Sequence, residues 1–63
     1  MKVNKIKISV LMAQKKMRQQ DLADKAGMSR GNLSTIINGK TCRPVTVIRL
    51  ADALGVDVTE IIE

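Results

Sequence analysis

Histidine, phenylalanine, tyrosine and tryptophan are all absent from this 63-residue chain, and cysteine and proline occur once each. Without histidine, neither a Ser-His catalytic pair nor a His-containing zinc site can be assembled. The lone Cys42 cannot hold a metal cluster or close an internal disulfide, and it fits a reducing compartment. With no aromatic ring to stack bases on, single-strand and RNA modules are disfavoured. The same absence leaves Leu, Ile, Val, Met and Ala to build the core, and a helical bundle packs these economically. No apolar run approaches the roughly 18 residues of a membrane span, and no charged start leads into a long apolar stretch with a small-residue cleavage site. The expectation is a soluble, cytoplasmic protein. Glycine-rich phosphate loops are missing too, and the paired acids Asp21 and Asp24 are explained by helix capping and solvation. An enzyme is not expected, and neither is a cofactor or a metal.

Sixty-three residues suffice for one domain, 1–63, of modest stability, because a chain this short buries only about 60% of its unfolded surface. Its net charge of +5 is unevenly spread. Up to Pro44 there are ten Lys and Arg against two Asp; beyond it Arg49 stands alone against Asp52, Asp57, Glu60 and Glu63. Surplus lysines serve solubility in many small domains, but a basic part of this extent also suits a polyanion.

Residues 19–38, QQDLADKAGMSRGNLSTIIN, organise the chain. Leu22 and Ala26 make one apolar face at helical spacing, and Leu33, Ile36 and Ile37 make a second. Gly27 stands where the first helix must stop in a left-handed conformation that glycine adopts freely. Ser29 then suits the N-cap of the next helix. Ala23 leaves room where two helices cross at about 90–120° around a short turn. The reading is a helix-turn-helix over 19–38 with its second helix over 30–38, closed by Gly39.

The rest of the chain is consistent with further helices. Ile6, Ile8 and Val10 alternate with a period of two, as in a strand, yet Ile8, Leu11 and Met12 give a helical face and Ala13 to Lys16 favour helix. A helix over 5–15 is chosen, with residues 2–4 extended. Pro44 closes a loop at 40–44, so the next helix starts at Val45 or Thr46 and runs with Val47, Leu50, Ala51 and Leu54 inward until Gly55 ends it. Asp57 and Glu60 resemble a capping box for a last short helix through Ile62. The apolar surplus at Ile6, Val10, Val58, Ile61 and Ile62 exceeds what one small core needs and marks a dimer contact.

These residues together resemble the Cro/CI (Xre) family of bacterial and phage DNA-binding regulators. The resemblance rests on Gln19, Leu22-Ala23, Gly27, Ser29, Leu33, Ile36, Asn38-Gly39-Lys40, Arg43-Pro44 and residues 50–55, LADALG. It spans about residues 5–62. It implies an all-α, lambda-repressor-like domain of five helices, and small stand-alone members often add a short strand before the first. Four positions depart from the family pattern, two of them as a pair. Lys16 replaces a usual glycine, and Arg18 a usual Ser, Thr or Asn cap. Met12 and Ile37 replace an Arg and Glu that commonly pair, a joint exchange that is often neutral or stabilising.

The resemblance implies sequence-specific binding of double-stranded DNA by a transcriptional regulator, a repressor, that acts as a homodimer on an inverted repeat. Gln19, Ser29, Asn38, Lys40 and Arg43 then lie on the phosphate backbone with Arg18 as a further phosphate candidate, while Arg30, Asn32, Ser34 and Thr35 meet base edges. Gly31 costs an exposed helix about 1 kcal/mol relative to alanine, and it reads as backbone clearance against DNA. The outward face of helix 30–38 has neither acid nor lysine, which suits the major groove better than an ordinary solvated surface. The competing reading is a protein-interaction module, antitoxin-like or an adaptor, with weak DNA binding.

Overall fold

In the computed structural model, which describes residues 1–63, the ambiguous N-terminal stretch is helical. Helix α1 spans Lys5–Gln14 and starts at Asn4, whose side-chain oxygen accepts the Lys7 N–H at 3.0 Å. That cap settles the period-two alternation: Ile8 is buried with Met12, while Ile6 and Val10 are left 75% and 49% exposed. Past α1, Lys16 takes a left-handed φ of 55°. Its N–H and that of Met17 bond back to the carbonyls of Ala13 and Met12, at 3.1 and 2.9 Å. The turn that usually carries glycine is therefore kept, at a cost of about 1–2 kcal/mol for a residue with a Cβ.

Three more α-helices follow: α2 over Gln19–Ala26, α3 over Arg30–Ile37 and α4 over Pro44–Leu54. α2 packs against both α3 and α4, and α4 also meets the C-terminal turn. Ala23 is fully buried in α2. A larger side chain there would have to displace packed neighbours, and overpacking costs about 1–3 kcal/mol. The core is purely apolar: 14 residues are buried, none of them polar or charged, and Leu22, Leu33, Leu50 and Ile8 are among the largest fully enclosed. Met12 and Ile37, where the family often carries an ion pair, both belong to it.

The fifth helix is not an α-helix. Val58–Glu60 makes a single 3-10 turn, so the bundle has four α-helices. The expected Asp57–Glu60 capping box does not form; the Asp57 carboxylate instead accepts the Thr59 N–H at 3.0 Å and its O–H at 2.6 Å, the nearer donors in so tight a turn. α4 begins at Pro44 rather than at Val45 or Thr46, with Arg43 as its cap residue. Proline at the first helical position loses no hydrogen bond and brings a helical φ with it. Ile61 is completely buried, which removes it from the exposed apolar surplus. The N-terminal strand reduces to one isolated antiparallel bridge between Val3 and Ile62.

Candidate nucleic-acid interface

The turn between α2 and α3 is built by local hydrogen bonding. Gly27 sits at φ 71°, ψ 37°, and its N–H and that of Met28 return to the carbonyls of Asp24 and Ala23. Ser29 then takes an extended conformation, and its Oγ accepts the Asn32 N–H at 3.1 Å. This satisfies an orphan donor of α3 and fixes where the helix leaves the turn. Leu33, Ile36 and Ile37 anchor α3 in the core. Its other side therefore faces water with Arg30, Gly31, Asn32, Thr35 and Asn38 exposed and Ser34 half-buried.

Two of these side chains are already engaged. The Thr35 hydroxyl donates to the Asn32 carbonyl at 2.8 Å, and the Asn38 amide donates to the Ser34 carbonyl at 2.9 Å, closing the C-terminal end of α3. Both keep acceptor oxygens toward solvent. Arg30 and Asn32 have no side-chain partner within the protein. A Cβ built on Gly31 would meet no atom within 4 Å, so the fold itself does not require glycine there.

At the start of α2, Arg18 has the extended conformation of a cap residue but no acceptor to offer. Asp21 supplies half of a capping box: its carboxylate accepts the Arg18 N–H at 2.9 Å and lies 3.4 Å from the guanidinium. The backbone N–H and then the side chain of Arg18 hold the Asp21 carboxyl below its ordinary range. Gln19, the first residue of α2, is half-buried. Lys40 and Arg43 stand exposed in the loop that follows α3. Of the 11 Lys and Arg only Arg18 forms an ion pair, which leaves the other cations free for an external anion. A shallow groove between α2 and α4, rimmed by Asp24, Lys25, Arg49 and Asp52, is mixed in charge and holds none of the expected site residues. No group of His, Cys, Asp and Glu is placed to hold a metal, and no helix is long and apolar enough to cross a membrane.

A stopped helix, a glycine turn, a serine cap and a second helix with a polar outer face define a helix-turn-helix domain. The chain belongs to the Cro/C1-type helix-turn-helix DNA-binding family, whose model matches residues 7–63. The first residues, which reach the loop after α3, lie outside that match. No curated protein matches the sequence. Among solved structures, one described as Phpd with cadmium complexed with hydroethylphosphonate contains the same fold, with a TM-score of 0.84 and 24% identity over 100% of this chain. The chain spans 14% of that protein's length.

Proposed function

We propose that the chain is one domain, residues 1–63, of a sequence-specific regulator of transcription, a repressor, that reads the major groove of duplex DNA with α3. The observation that carries this is the solvent face of α3, small and free of acids, with Arg30 and Asn32 unpartnered and the unpaired Lys40 and Arg43 after it. In this reading Arg30 donates two hydrogen bonds to guanine O6 and N7, and Asn32, Ser34 and Thr35 meet neighbouring base edges. Arg18, Gln19, Ser29, Asn38, Lys40 and Arg43 fix the register on phosphates, and Gly31 lets the backbone approach. The protein acts in the cytoplasm, where its duplex partner is, and chemistry is no part of its role.

The same reading has it act as a homodimer on an inverted repeat, with recognition helices about 34–36 Å apart. The exposed Ile6 and Val10 support this, since they line a shallow groove with Lys7, Leu11, Gln14 and Glu60. Such a patch complements itself about a two-fold axis, the lysine of one copy meeting the glutamate of the other.

The test is Arg30→Ala, titrated at one salt concentration against a duplex selected from random DNA and against its scrambled version. A loss of about 1–3 kcal/mol on the selected site with little on the scrambled one supports groove reading. Equal losses on both would reject it.

A further inference from the structure

The loop that joins α3 to α4 rests the half-buried Cys42 side chain on the core but has few backbone ties of its own. At one end the N–H groups of Gly39 and Lys40 bond back to the carbonyls of Ile36 and Thr35, at 3.1 Å each. At the other, the Arg43 carbonyl accepts the N–H groups of Thr46 and Val47 at 3.0 and 3.3 Å. Between these anchors the only backbone hydrogen bonds form a reciprocal pair with Met1: the Cys42 N–H donates to the Met1 carbonyl at 2.7 Å, and the Met1 nitrogen donates to the Cys42 carbonyl at 3.0 Å.

The segment that holds the loop is itself held. On its other edge the Asn4 N–H donates to the Ile61 carbonyl at 2.6 Å, and the Glu63 N–H donates to the Lys2 carbonyl at 3.3 Å. Val3 between them is buried, and Asn4 caps α1. The N-terminal segment is thus pinned to the core, to α1 and to the C-terminal turn, while its first residue reaches across to the middle of the loop.

We infer that residues 1–4 are a positioning element for DNA binding: through Met1 they hold Cys42, and so set the loop from which Lys40 and Arg43 reach phosphates. This rests on the groove reading above. An unsupported loop must lose its freedom when DNA binds, and ordering a single residue's backbone corresponds to roughly a 5- to 30-fold change in an equilibrium constant. Met1 removes that cost beforehand.

The experiment combines hydrogen exchange with a double-mutant cycle. In the intact chain the Cys42 amide should exchange well below the rate of Thr41, whose N–H has no backbone partner. Exchange of the two at similar rates would overturn the inference. The second arm removes Met1 alone, which leaves the buried Val3, the charge of Lys2 and the pairing with residues 61 and 63 in place, and thermal melting checks that this chain is folded. Its affinity should fall about 5- to 30-fold on every duplex. Arg43→Ala, which weakens the intact chain, should do much less in the shortened one, because the two changes act through one loop. An undiminished effect of Arg43→Ala in the shortened chain means that Met1 does not position the loop. If Arg43→Ala has no effect even in the intact chain, the groove reading fails first and this inference with it. Should the shortened chain not fold, the exchange rate of Cys42 decides alone.

Discussion

Gly31→Ala adds one methyl group to the solvent face of α3, where the added atom meets no neighbour within 4 Å and the backbone is helical. Nothing in the folded protein resists it. Alanine loses less chain entropy on folding and stands about 0.5–1 kcal/mol ahead of glycine within a helix. In a domain of this size 1 kcal/mol moves the melting temperature by about 4–8 °C, so the variant should melt roughly 2–8 °C higher. If α3 lies in the major groove as proposed, the methyl group projects into the space its backbone needs. Forcing an extra carbon into a packed contact costs about 1–3 kcal/mol, or roughly 5- to 150-fold in Kd.

Folding and binding should therefore move in opposite directions, a result that general damage to the protein cannot produce. Thermal denaturation followed by circular dichroism reads the first, and anisotropy titration of a labelled selected duplex at fixed salt reads the second. A variant that melts higher and binds as tightly as the parent refutes the clearance role of Gly31. One that melts lower refutes the claim that the site is open.

Lys16→Gly should raise stability by about 0.5–1 kcal/mol, since relief of the left-handed strain at φ 55° exceeds the entropy that glycine adds to the unfolded chain; an unchanged denaturation midpoint would count against strain there. Lys40→Ala and Arg43→Ala should each weaken binding to all duplexes alike and lower the salt slope by about one unit, whereas a loss confined to one sequence would mean that the residue reads a base. Asp21 and Asp57 both ionise below their ordinary value of 3.8, the first through the N–H and side chain of Arg18 and the second through the hydroxyl and N–H of Thr59. Their stabilisation is full above that value and is lost as pH falls through the lowered folded values, so denaturant midpoints should drop in that acid range, and Asp21→Ala should lower the midpoint at pH 7 and blunt the acid drop. An Asp21→Ala midpoint equal to the parent's at pH 7 would refute the capping role.

The helix-turn-helix was legible because each signal for it is local. Gly27 needs only its own φ, Ser29 bonds three residues ahead, and Leu33, Ile36 and Ile37 share a face by helical geometry alone. One ambiguity, resolved as helix, and one misreading, the start of α4, were of the same local kind and had signals on hand. Asn4 is a cap residue of the expected type, and it decides for helix over strand at residues 6–10. Pro44 is as much a helix opener as a loop closer. The remainder has no local signature. Burial of Ile61, the Val3–Ile62 bridge and the Met1–Cys42 pair depend on backbone groups that meet across 41 or more residues, and a main-chain N–H or C=O is the same whatever side chain it carries. The site divides in the same way. Which residue types face outward on α3 follows from periodicity, but whether a polar tip is free does not: Thr35 turns its hydroxyl and Asn38 one of its two amide N–H groups onto their own helix, while Arg30 and Asn32 keep theirs. If α3 enters the groove as proposed, a base edge would meet an acceptor oxygen from Thr35 and uncommitted donors from Arg30 and Asn32, while Asn38 would keep one amide N–H for a phosphate, a division of this face that side-chain geometry imposes and composition alone does not contain.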